Sequence, residues 1–62
     1  MKVFVEKRQS KKRDEFSYYV AYVDFGYRQH AISYDLAVIA EMANCTPLQL
    51  VERLSRENKI TI

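Results

Sequence analysis

Few side chains in this chain of 62 residues could do covalent or acid–base chemistry. His30 is the only histidine and Cys45 the only cysteine. Neither has a serine, thiol or carboxylate neighbour at a catalytic spacing, and one Cys with one His cannot by themselves build a structural zinc site. Cys45 sits between Asn44 and Thr46 without the positive neighbours that would activate a thiol, which suits a small buried hydrophobe. With Gly26 as the sole glycine, a Gly-rich phosphate loop is excluded. Asp24 and Asp35 read as a turn residue and a helix cap. These residues point away from an enzyme, a metal site, a cofactor or a small-molecule substrate.

Binding chemistry is better represented. Five of the ten basic residues fall in one short run, Lys7, Arg8, Lys11, Lys12 and Arg13, directly before Asp14 and Glu15. Such a run serves either as a solvated loop tip or as a basic finger for phosphates. Arg28, Gln49, Arg53 and Arg56 extend the candidate nucleic-acid-binding set. Tyr18, Tyr22, Tyr27 and His30 form a candidate interaction surface, either a stacking platform for single-stranded nucleic acid or a protein and homodimer interface.

The elements that must carry these residues are legible from periodicity. Lys2 to Lys7 alternates, with Val3 and Val5 on one face and Phe4 on the other, and predicts a strand. Gln9 to Glu15 is polar and predicts the connection of a long hairpin. Phe16 to Asp24 is rich in aromatic and β-branched residues and is apolar at both odd and even positions. A strand with one wet face alternates instead. This stretch is therefore either a central strand covered on both sides or a display of aromatics awaiting a partner. Asp24-Phe25-Gly26 predicts a turn, either of three residues, which sets Val23 opposite Tyr27, Val20 opposite His30 and Tyr18 opposite Ile32, or of two residues, which moves this register by one. The third strand then runs from Tyr27 to about Ser33.

Asp35 is the expected N-cap of a helix carrying Leu36, Ile39, Ala40 and Ala43 at helical spacing, and Asn44 suits the left-handed residue that ends it. Thr46-Pro47-Leu48-Gln49 predicts a capping box with proline at the first helical position. The second helix turns Leu50, Val51 and Leu54 inward and Gln49, Glu52, Arg53 and Arg56 outward. Ile60-Thr61-Ile62 offers a short edge strand. The expected architecture is one α+β domain over residues 1–62: a three-stranded antiparallel sheet, with a short fourth C-terminal strand as an option, packed on two short helices.

A domain this small buries only about 60% of its unfolded surface, and no disulfide can staple it. Self-association is a natural further source of stability. No long apolar run suggests an export signal or a membrane span, and a lone thiol fits a reducing cytoplasm.

Ile39 to Leu54 resembles the helix-turn-helix of bacterial and phage regulators: a small Ala in the first helix, a turn residue suited to positive φ, a Thr cap with Pro, and an aliphatic anchor. It has Asn44 where Gly is usual and no bracing third helix. The resemblance implies that Thr46, Gln49, Arg53 and Arg56 face DNA; an ordinary αα-hairpin on a sheet accounts for the same residues. Three strands followed by a helix also resemble, in pattern, the arm-binding domains of tyrosine recombinases. Across most of its length, Val20 to Arg28, Ile32 to Asp35 and Ile39 to Glu41, the chain is similar to small prophage and mobile-element proteins of low-GC Gram-positive bacteria. That likeness implies a compact accessory factor, either a nucleic-acid-binding protein or an inhibitor docking on a host protein.

Overall fold

The computed structural model describes residues 2–10 and 17–62. Its elements run β1 (Val3–Gln9), β2 (Ser17–Asp24), β3 (Gln29–Ser33), α1 (Leu36–Met42), α2 (Pro47–Glu57) and β4 (Lys59–Thr61). The strands form one antiparallel sheet in the order β3-β2-β1-β4. The α+β class is as expected, and the fourth strand is present. No helix is long and apolar enough to cross a membrane.

β2 lies inside the sheet, which explains its unbroken apolar run. One of its faces, with β1 and β4, supplies Val5, Ala21 and Ile60 to the core, where they meet Ile39 and Ala40 of α1 and Leu50 and Leu54 of α2. Val3, Tyr19 and Ile62 pack around the margin. Both helices therefore sit on the odd-numbered face of β1 and β2.

The helix ends follow local chemistry. The Asp35 carboxylate accepts the Ala37 N–H at 2.9 Å, and Asn44 takes the left-handed conformation at φ 57° just beyond α1. The Thr46 hydroxyl accepts the Gln49 N–H at 3.2 Å while the Gln49 side chain accepts the Thr46 N–H at 3.0 Å. This reciprocal pair satisfies donors that a helix start otherwise leaves open. Asn58 ends α2 at φ 61° and turns the chain into β4, where Ile60 sits opposite Val5.

The β2–β3 connection differs from expectation. Asp24 holds the turn by accepting the Gly26 N–H at 2.7 Å, and Gly26 has φ 90°. However, Phe25 N–H donates to Arg28 C=O at 2.9 Å, so Gly26 opens the turn instead of closing it. Tyr27 and Arg28 thus belong to the connection, and Val23 faces His30, not Tyr27. The displacement is by an odd number of residues, which exchanges faces. A bulge at Ile32 then restores pairing between Ala21 and Ser33.

Leu54 is fully buried between helix and sheet. Leu54→Ala is expected to cost about 2–5 kcal/mol and Thr46→Ala about 0.5–2 kcal/mol, read from urea unfolding midpoints. A Leu54→Ala loss below that of Thr46→Ala would contradict this packing.

Candidate functional site: the sheet face without helices

The even-numbered face of β1 and β2 carries no helix among the described residues. Phe4 of β1 and Tyr22 of β2 are direct cross-strand partners, with ring centroids 5.8 Å apart and planes tilted by 31°. Aromatic pairs of this kind add to sheet stability beyond their area. Beside them Val20 faces Glu6, and Glu6 in turn faces Lys59 of β4.

Tyr22 is only 1% exposed and Val20 is fully buried, although no layer of secondary structure among the described residues covers them. Among the described residues, cover comes from long side chains. Arg8 leaves β1, passes over the Tyr22 ring with its guanidinium carbon 4.7 Å from the centroid, and donates from Nη2 to Gln29 Oε1 on β3 at 2.5 Å. Its Nε also donates to Glu6 Oε2 at 2.9 Å. From the edge strand β4, Lys59 places its ammonium 4.6 Å from the Phe4 centroid and 5.4 Å from that of Tyr22. Two cations, one from β1 and one from β4, thus reach across the face, each over an aromatic ring. Next to them Tyr18 and Tyr34 pair at 6.1 Å.

The electrostatics follow from this arrangement. Burial works against the Arg8 charge, but hydrogen bonding and attraction from Glu6, with a smaller share from Tyr22, leave its pKa raised. The Tyr22 hydroxyl is the main influence holding Lys59 above the ordinary lysine range, against a smaller desolvation cost. That buried hydroxyl makes no hydrogen bond of acceptable geometry. Both cations lie over the Tyr22 ring, at 4.7 and 5.4 Å from its centroid.

The candidate residues do not gather into one surface. Tyr18 and Tyr22 are on this face, but Tyr22 lies beneath the cations and is not an open platform. His30, opposite Val23, belongs to the other face, and Tyr27 stands 89% exposed in the turn next to Arg28. The register of β2 against β3 separates them. Lys7 is exposed and faces Tyr19 on the helix side, whereas Arg8 is committed to Glu6 and Gln29. Lys11, Lys12 and Arg13 lie outside the described residues.

On α2 the Gln49 carbonyl is used by the cap, and Arg53 Nε lies 3.7 Å from Glu57 Oε2. Arg56 is exposed, but Glu52 shares the lining of the same shallow groove. This helix face is mixed in charge. Phe4, Glu6, Gln29 and Lys59 were missed as site residues. Phe4 could have been noticed from its position between Lys2 and Glu6, whereas Lys59 required the register of β4.

Comparison with known proteins returned no matching family model, curated protein or solved structure.

The raised Lys59 pKa sets a pH dependence. A lysine held higher in the folded state contributes stability that is complete below its unfolded value of about 10.4. That contribution disappears as pH rises through the folded value. The stability gap between the parent and Lys59→Met should therefore be constant from neutral pH upward and shrink in strong alkali, as followed by urea melts. A gap that widens with alkalinity would contradict the assigned contact.

Proposed function

We propose that this chain is a small non-catalytic binding module that accepts single-stranded nucleic acid on the helix-free face of its sheet. The observation that carries this reading is the Phe4–Tyr22 pair on the two central strands, crossed by Arg8 and Lys59. Bases stack on aromatic rings and phosphates seek neighbouring cations. A guanidinium resting on a ring, as Arg8 does, contributes about 0.5–1 kcal/mol at an accessible site, less than the roughly 1–3 kcal/mol of a stacked base. Moving such a cation aside gives it a phosphate in exchange for a ring. In the sequence, Lys11, Lys12 and Arg13 follow within four residues of the end of β1, which adds positive charge to this part of the chain.

A second reading is supported by a separate feature. Phe25, Tyr27, Ile32 and Tyr34 are 48%, 89%, 46% and 62% exposed, and all lie on β3 or immediately beside it. Aromatic side chains with an adjacent arginine are the composition of a protein interface, so this edge suits a protein partner.

Fluorescence anisotropy with random single- and double-stranded oligonucleotides at two salt concentrations separates the readings. Single strands should bind at low salt and weaken steeply as salt rises. Phe4→Leu, which keeps an apolar side chain but removes the ring, should lose about tenfold or more, and Lys59→Ala should reduce the salt slope. Absence of low-salt binding removes the nucleic-acid reading.

A further inference from the structure

The protein-docking reading leaves its partner open, and the backbone of β3 narrows the choice. Phe25 and Arg28 are joined by an N–H···O bond. Bonded and non-bonded pairs alternate along an antiparallel ladder. Val23 and His30 are then the next bonded pair, while Asp24–Gln29 and Tyr22–Ala31 are non-bonded. The N–H and C=O groups of Gln29 and Ala31 consequently point away from the sheet, on a strand that is its outer edge. Beyond the Ile32 bulge, Ser33 turns back toward Ala21.

We propose that β3 pairs with β3 of a second copy, antiparallel, about a two-fold axis at His30, joining two sheets into one. The inference rests on the docking reading above. The backbone selects the register. With His30 on the axis, Gln29 meets Ala31 of the copy and Ala31 meets Gln29, so every outward donor and acceptor of these two residues is bonded. With Ala31 on the axis, Gln29 would meet Ser33, whose groups already face β2. A register shifted by one residue would oppose side chains of opposite faces, which a two-fold axis perpendicular to the sheet does not allow.

Charge agrees with this pairing. Arg28 is the only formally charged residue from Tyr27 to Tyr34. In the His30-centred register it meets Ile32 of the copy instead of another Arg28, and its aliphatic stem can cover that half-exposed side chain. β3 also lacks the lysine, acid or proline that commonly blocks an exposed edge. The opposite edge, β4, is three residues long and carries Lys59.

The register makes the test specific. Residues facing each other in a non-bonded pair have Cα atoms about 4.5 Å apart, within disulfide range. In a Cys45→Ser background, His30→Cys should form a covalent dimer under mild oxidation at least tenfold faster than Gln29→Cys or Ala31→Cys. Sedimentation equilibrium of the full chain, without nucleic acid, should show its mass approaching that of a dimer with rising concentration. Ala31→Pro removes only an outward N–H, the edge position where proline is tolerated; it should keep the circular dichroism spectrum and sediment as a monomer. A strict monomer for the parent chain overturns the proposal. A dimer that cross-links equally at all three positions, or that survives Ala31→Pro, overturns this pairing while leaving docking by another surface in place.

Discussion

A strand that is apolar on both sides has to be covered on both sides, and most of the structure follows from meeting that demand for β2 in a short chain. The helices meet it on one face, where Ala21 lies under Ile39, Ala40, Leu50 and Leu54. Among the described residues no second helical layer lies on the other face. That face is closed by what the neighbouring strands can reach across with, chiefly Arg8 from β1 and Lys59 from β4. Long amphipathic side chains are suited to this, because their stems cover apolar surface while their charges stay near water.

The two covers differ in kind. Core packing between α2 and the sheet is dense and unforgiving, and a lost methylene there leaves a cavity. The cation cover is a set of weak, separable contacts: an exposed hydrogen bond to Gln29, a half-exposed ion pair to Glu6 and ring contacts at 4.6 to 5.4 Å. Surface ion pairs and accessible cation–ring contacts are individually small. The helix face therefore defines the fold, whereas the other face is shielded without being locked, and the proposed nucleic-acid site uses that difference. β3 is a third environment, exposed from Gln29 to Ile32 and paired on one side only.

Much of the fold could be read locally. Alternation separates Val3 and Val5 from Phe4 on opposite faces of β1, though it does not say which face meets the helices; Asp35, Asn44, the Thr46–Gln49 box and Pro47 mark the helix ends. These features depend on residues within a few positions of one another, and capping chemistry and side-chain periodicity are local. The candidate site was less legible. The sequence presents Arg8 as part of a basic run and Tyr18, Tyr22, Tyr27 and His30 as one surface, whereas the observed register puts His30 on the face opposite Tyr22 and leaves Tyr27 in the turn.

What the amino-acid order determined alone was the set of elements, their ends, and the fact that β2 needed company on both faces. What only the tertiary structure decided was which residues meet across strands: Val23 with His30, Glu6 with Lys59, Arg8 with Gln29. The reason is physical. Strand register is a non-local quantity, set here by where Gly26 enters its turn and by a bulge at Ile32. An odd shift in register carries every side chain of a strand to the opposite face without changing its sequence pattern.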